Sequence, residues 1–352
     1  MTPSFWLGRR VLITGNTGFK GSWLSFWLAE LGAEVSGLAL PPSSSPNLYD
    51  ILDLSTAGQS IYADINDRGA LNALFKSARP EVVIHMAAQP LVRQSYATPV
   101  ETFMTNVAGT VSLLDAVRNC HETRAVVIVT TDKCYENHNW HWGYRETDDL
   151  GGHDPYSASK ACAEIATASM RRSFFNDGGH PARVATVRAG NVIGGGDWSD
   201  DRLVPDIVRG CLGAEHIVRL RNPGAVRPWQ HVLDPLRAYL SLAERLHTGD
   251  KGFDEAWNIG PESADNQPVL AVAEAMVRAL GQGRIEITPD SSPLHEANLL
   301  MLDCAKARAR LGWRPNLDFK TTVDLTAQWY QSWASGADMA SVTRAQILQF
   351  ME

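Results

Sequence analysis

The stretch Val11-Leu12-Ile13-Thr14-Gly15-Asn16-Thr17-Gly18-Phe19-Lys20-Gly21 decides how this chain folds. An aliphatic run signals a buried strand, glycines follow at 15, 18 and 21, and a helical stretch opens near Ser22. Strand, glycine turn and helix in that order let a pyrophosphate approach backbone N–H groups, and the helix N-terminus offers it partial positive charge. The expectation is a dinucleotide held by Gly15, Asn16, Thr17, Gly18, Phe19, Lys20 and Gly21, against the alternative of a purely structural turn. Lys20 is either within reach of a phosphate or a solvated lysine.

Outward from this unit, short β-branched runs alternate with helical stretches, the pattern of βαβ units on a parallel sheet. Strands are expected near Arg10–Thr14, Glu34–Leu38, Ser60–Ala63, Glu81–His85, Ala125–Thr130 and Arg183–Arg188, and helices over Ser22–Leu31, Asp67–Ala78, Val100–Asn119 and Ser157–Phe175. From Asn191 the pattern gives way to mixed short elements. The fold class read from this is α/β: a Rossmann-type doubly wound parallel sheet with a smaller C-terminal substrate-binding lobe. Residues 1–190, with a returning segment near 228–260, form the nucleotide-binding domain, and 191–352 mainly form the lobe.

With 352 residues, 44% apolar, the chain has ample material for a core. A formal charge of -7 and a pI near 5.8 exclude a nucleic-acid partner or an anionic membrane surface. Cys120, Cys134, Cys162, Cys211 and Cys304 are scattered, which suits neither a zinc site nor a disulfide framework and fits a reducing cytoplasm. Neither a signal peptide nor a membrane span is expected, and no metal-binding cluster. His85 and His231 read as hydrogen-bonded structural histidines, Trp23 and Trp27 as a helix's core face, and Asn139–Trp142 as either an active-site roof or a packed loop.

The second chemical signal is Tyr156 with Lys160. Eight tyrosines and seven lysines would give a Tyr-x-x-x-Lys pair about 0.16 times by chance. On a helix the two share a face, and an ammonium beside a phenol lowers its pKa toward that of a usable base. Thr131, Asp132 and Lys133 follow the strand Val127–Thr130, where ligands of a doubly wound sheet collect. Asp132 as a protonated acid and Lys133 as a neutral base would add water loss to hydride transfer; a surface turn is the plainer alternative. The second strand ends Gly37-Leu38-Ala39-Leu40, with neither the usual ribose-binding acid nor an arginine for a 2′-phosphate, which leaves NAD favoured over NADP. Asp64 stands where an adenine amino group could donate to it, and is otherwise a turn residue.

Gly15–Gly21, Met86-Ala-Ala-Gln-Pro-Leu-Val-Arg93, Thr131-Asp-Lys-Cys-Tyr135, Tyr156-Ser-Ala-Ser-Lys160, Arg188-Ala-Gly-Asn-Val-Ile-Gly-Gly-Gly-Asp-Trp198 and Arg227-Pro-Trp-Gln-His-Val232 together resemble the CDP-glucose 4,6-dehydratase family of the extended short-chain dehydrogenase/reductase superfamily. That resemblance implies NAD as cofactor and CDP-glucose as substrate. Tyr156 would take the O4 proton with Thr131 and Lys160 assisting, Asp132 would be the acid, and Lys133, where dTDP-glucose enzymes have glutamate, the C5 base. It also implies cofactor contacts from Ile65, Ala87, Ala88, Gln89, Asn106, Thr130 and Arg188, and substrate contacts from Asn191, Arg202, Leu203, Pro205, Val218, Arg219, Arg227 and His295. By the same resemblance the chain is a homodimer, or a higher homo-oligomer, paired through Val100–Asn119 and Ser157–Phe175, and supplies deoxysugars for surface polysaccharide. A related epimerase, whose product keeps the C6 oxygen, and a non-catalytic NAD-binding regulator are the competing readings.

Overall fold

The computed structural model describes residues 1–56, 58–176, 178–288 and 299–352. At its centre lies a seven-stranded sheet of β1 (Arg10–Thr14), β2 (Glu34–Ala39), β3 (Gln59–Tyr62), β4 (Val82–His85), β5 (Ala125–Val129), β6 (Arg183–Ala189) and a returning strand Ala256–Ile259. All pairings in it are parallel, and the order is Ala256–Ile259, β6, β5, β4, β1, β2, β3. The chain therefore winds one way from β1 through β2 to β3 and the other way from β4 onward. A crevice opens between β1 and β4 at the carboxyl ends of the strands, where doubly wound sheets bind ligands. The six strands expected from the sequence are present with ends shifted by no more than one residue.

Strand periodicity explains why the sheet is buried on both faces. Val11, Ile13, Val82, Ile84, Val127 and Val129 pack on one side; Leu12, Val83, Val126 and Ile128 pack on the other. Each such aliphatic side chain contributes about 1.5–3 kcal/mol when fully buried. Helix α1 (Phe19–Glu30) is buried at every position from Gly21 to Leu28, because it lies between the sheet and the C-terminal helix Met339–Met351, with Trp27 edge-on to Phe350 at 5.8 Å. Trp23 and Trp27 are fully enclosed, and the Trp23 indole donates to the Gly195 carbonyl at 2.9 Å.

Two long expected helices are interrupted. The first runs as Pro99–Phe103, a π-helical stretch Met104–Ala108, and Gly109–Arg118; the second, Pro155–Met170, ends in a π-helical stretch Arg171–Phe175. The insertion at Met104–Ala108 lies where the buried Asn106 leaves helical packing to bond the loop above it, a common reason for such bulges. Beyond Asn191 the expectation of mixed short elements is only half met. Helices Leu233–Thr248 and Phe319–Ala334 are each 16 residues long, beside short strand pairs such as Ile217–Leu220 with Arg284–Ile287. The core that covers one face of the sheet continues into this region through Ile207, Val208, Val272, Met276 and Trp329.

Candidate active site

The glycine loop is shaped by close approach. Gly15 has φ +76°, and a Cβ there would stand 2.7 Å from Ala87 N; one on Gly21 would stand 2.1 Å from the Gly15 carbonyl. Gly18 differs: a Cβ there would make only ordinary contact, 3.4 Å from the Gly15 carbonyl, so this position is not crowded by the protein. It also caps α1 with no side-chain hydrogen bond, which leaves the helix's first N–H groups to a ligand. Asn16 is buried, its Nδ2 donates to Ser60 Oγ at 3.0 Å, and its Oδ1 has no partner among the described residues. Glycines that admit no Cβ and a helix end without a side-chain cap suit a dinucleotide diphosphate, whereas the unmet Asn16 acceptor suits a donor such as a ribose hydroxyl. Thr17, by contrast, donates its hydroxyl to the Leu40 carbonyl at 2.9 Å.

The other expected cofactor residues divide. Ala88 lines the cleft, while Ala87 N donates to Thr14 Oγ1 at 3.2 Å. Asn106 accepts from Gln89 N at 2.9 Å and donates to Gln89 O and Ser159 Oγ, so Gln89 and Asn106 clamp the loop after β4 onto the helix beneath. Ile65 is buried against Gly109. Asp64 is exposed, and its Oδ1 accepts from Asn66 N at 2.7 Å in a turn that leaves Oδ2 toward solvent. Arg188 requires correction as a cofactor residue. It points into the protein, 4% exposed, and pairs with Glu164 at 2.9 Å while also donating to Tyr135 Oη, because a cation at a buried strand position must find a carboxylate. Thr130 faces the same network through its hydroxyl bond to Glu164, although its residue borders the cleft.

Thr131, Asp132, Lys133, Tyr156 and Lys160 converge on one cleft of about 600 Å³. Residues 132–134 form a 3₁₀ turn capped by Thr131, whose Oγ1 accepts from Lys133 N at 3.3 Å and donates to Asp132 Oδ1 at 3.0 Å. Asp132 is 2% exposed, its Oδ2 has no partner among the described residues, and burial raises its carboxyl above the ordinary range against the opposing pull of Lys133 and Thr131. Lys160 is buried, donates to the Val129 carbonyl at 3.2 Å, and is lowered by desolvation to about 8, with Glu164 acting the other way. The sequence pattern predicts a depressed Tyr156 phenol; burial instead raises it to about 12, with the Thr131 hydroxyl opposing.

Across the cleft stand Asn191, Arg202, Leu203, Pro205, Val218, Arg219 and Arg227. Arg227 is buried and donates to Val226 O at 2.9 Å; Arg202 pairs with Asp197 at 3.2 Å; Arg219 pairs with Glu215 near the surface. His295 lies outside the described residues. Sequence reasoning missed Arg93, Asp201 and Arg221, which also line the cleft, Arg221 pairing with Asp201 at 2.9 Å. Arg93 closes a motif already quoted, and Arg221 is two residues beyond Arg219, so both signals were present. Asn139–Trp142 is a largely exposed loop away from the cleft: Trp140 stacks on Tyr144 and Trp142, Trp142 is 62% exposed, and none of the three borders the cleft. His85 is bonded through both ring nitrogens to Thr14 and Thr110, and His231 Nδ1 accepts from Leu233 N. No helix among the described residues is long and apolar enough to cross a membrane.

The chain is 46% identical to the CDP-glucose 4,6-dehydratase of Salmonella typhimurium, over 99% of this chain and 98% of the relative. Among solved structures it is similar to a Thermus thermophilus UDP-glucose 4-epimerase complexed with NAD (25% identity, TM-score 0.78, covering 92% of this chain and 99% of that one). A Bacillus anthracis dTDP-glucose 4,6-dehydratase complexed with NAD shares the fold at 23% identity and TM-score 0.77, over 94% of this chain and 99% of that one. Residues 12–326 match the family described as GDP-mannose 4,6 dehydratase, and the chain belongs to that family, within the extended short-chain dehydrogenase/reductases.

Proposed function

We propose that this protein is an NAD-dependent CDP-glucose 4,6-dehydratase, a hydro-lyase that converts CDP-D-glucose to CDP-4-keto-6-deoxy-D-glucose and water. The observation that carries the reading is the Asp132 carboxyl, buried beside Tyr156 and Lys160 with one oxygen unpaired. Oxidation alone has no use for it; elimination needs a group that holds a proton at neutral pH. The full-length likeness to a CDP-glucose 4,6-dehydratase supports the nucleotide.

When bound, NAD would supply a hydride acceptor for oxidation at C4 and, once reduced, a hydride donor for C6, with no net change in the cofactor. Residues Gly15–Gly21 would hold it, with Ala88 at the cleft wall. Tyr156 takes the O4 proton, and the Lys160 ammonium stabilises the phenolate. The C4 ketone acidifies C5–H, Lys133 removes that proton, and Asp132 Oδ2 protonates the departing C6 hydroxyl. Asn191, Arg202 and Arg227 bind the diphosphate, and Leu203, Pro205, Val218 and Arg219 border the base.

The reading extends to a nucleotide-binding half, residues 1–190 with a returning segment near 228–260, a substrate half mainly of 191–352, cytoplasmic location, and supply of deoxysugars for surface polysaccharide. A homodimer is supported by apolar side chains left exposed on the two paired helices: Val100 (69%), Met104 (51%), Ile165 (57%) and Phe174 (41%). The deciding experiment incubates the protein with CDP-, UDP-, GDP- and dTDP-glucose and follows loss of one water by mass. Water loss from CDP-glucose without net accumulation of reduced cofactor is expected. Loss from another nucleotide only, or a product that keeps the C6 oxygen, overturns the reading.

A further inference from the structure

Lys20 is the one member of the glycine loop whose side chain reaches into the reaction cleft. It stands on the first turn of α1, so the backbone that cradles a dinucleotide and the wall of the sugar site share this residue. Among the described residues it has no hydrogen bond and no carboxylate partner; its ammonium lies 5.9 Å from the centroid of the Tyr239 ring on Leu233–Thr248. The groups that face it come from three further elements: Lys160 on Pro155–Met170, Asp132 after β5, and Arg202 before Leu203–Leu212. Two of these are cations, and Asp132 is held toward its neutral form by burial. A lysine among cations, at the junction of two sites and without an anion of its own, is placed for an anion that arrives with a ligand.

We propose that Lys20 is a diphosphate ligand at the junction of the cofactor and sugar-nucleotide sites, receiving its counter-charge from the bound molecule and not from the protein. The inference rests on the dehydratase reading, which puts two diphosphates near it, one in the cofactor and one in the substrate. A charge state follows. Desolvation, Lys160 and Arg202 together lower Lys20 to about 7 in the free protein, with Asp132 opposing. A diphosphate alongside restores the ammonium, so binding takes up a proton. Lys160, lowered to about 8, contributes a fraction of its own, and the meaningful quantity is the difference between the parent and a variant lacking Lys20.

The test is calorimetric titration of the full chain at about pH 8 in two buffers of different ionisation enthalpy, with NAD in one arm and CDP in the other. In the arm whose diphosphate Lys20 holds, K20M binds at least about tenfold more weakly than the parent and takes up measurably less proton. K20R, charged throughout, keeps affinity while losing the proton uptake. Affinity lost only for NAD assigns the cofactor diphosphate, and lost only for CDP assigns the substrate's. If K20M, shown folded by its parental thermal transition, binds both ligands within about threefold and with unchanged proton uptake, the proposal is overturned. If K20M instead fails to fold, K20R decides, because equal proton uptake by K20R and the parent also overturns it. Water loss from CDP-glucose by the parent protein is scored separately, so Lys20 can fail while the dehydratase reading stands, and the reverse.

Discussion

Asp132→Asn isolates the elimination step. The carboxyl is 2% exposed; Oδ1 accepts from Thr131 Oγ1 at 3.0 Å, and Oδ2 is enclosed without a partner. An amide of the same shape keeps the acceptor at Oδ1 and places an NH₂ where Oδ2 stood. That group can hydrogen-bond to the leaving hydroxyl but has no proton to give. General acid catalysis contributes about 10²–10⁴-fold, which corresponds to about 2.7–5.4 kcal/mol of barrier. Substrate binding and C4 oxidation use Tyr156 and Lys160, which the substitution does not touch. Rapid mixing of the NAD-loaded variant with CDP-glucose, monitored by the near-ultraviolet absorbance of reduced cofactor and by mass, should show oxidation proceeding and then stalling. Water loss should slow by about 10²–10⁴-fold while reduced cofactor accumulates on the protein. Water loss within about threefold of the parent would refute the assignment of the proton to Asp132, as would oxidation falling in step with elimination.

Lys133→Ala should abolish exchange of the substrate C5 hydrogen with solvent deuterium while leaving C4 oxidation measurable; normal exchange, read by mass, removes the base role from Lys133. Glu164→Gln takes the carboxylate from Arg188 where both side chains are under 5% exposed, and leaving such a cation uncompensated costs about 3–5 kcal/mol, measured by denaturant unfolding. His85 and His231 are buried with their pKa lowered by desolvation from 6.5 to about 3. The folded chain thus binds fewer protons than the unfolded chain between those values. Stability is full above pH 6.5 and is lost as pH falls toward 3, at up to about 1.4 kcal/mol per pH unit for each histidine. His85→Gln should make the fall in unfolding midpoint between about pH 7 and pH 5 shallower, and an unchanged slope would remove His85 as a source.

The sheet was legible because its strands are buried on both faces, so Val11–Thr14 and Ala125–Val129 read as unbroken apolar runs that local composition cannot hide. Helix ends were less so. Helix α1 begins at Phe19, three residues ahead of the expected Ser22, because the helix grows directly out of the glycine turn without a polar cap to mark it. The π-helical insertion at Met104–Ala108 depends on Asn106 bonding to Gln89 and Ser159, contacts made across the fold that no local window contains. Arg188 was misread for a related reason. The family resemblance implied a cofactor contact, but the carboxylate that claims it lies on another element, 24 residues away. Tyr156 lies in the cleft, but its charge was misjudged: burial moves the phenol up where the motif alone predicts it down.

That reversal has a mechanistic consequence. In the cleft, desolvation moves four ionisable groups toward their neutral forms: Asp132 upward, Lys20 to about 7, Lys160 to about 8 and Tyr156 to about 12. A phenol at that value is a poor proton acceptor at neutral pH, and Lys160, lowered to about 8, is mostly charged there but loses its charge far sooner than an exposed lysine as pH rises. Bound diphosphates reverse the balance on the lysines, because anions nearby favour their charged forms, and a fully charged Lys160 then favours the tyrosinate. Asp132 faces the opposite requirement, since it must remain protonated until the C6 hydroxyl leaves. Its enclosure, 2% exposed behind the Thr131 hydroxyl, keeps it so while its neighbours charge. On the proposed mechanism, burial therefore suits the acid outright, while the Tyr156 base depends on the Lys160 charge that a bound diphosphate would reinforce.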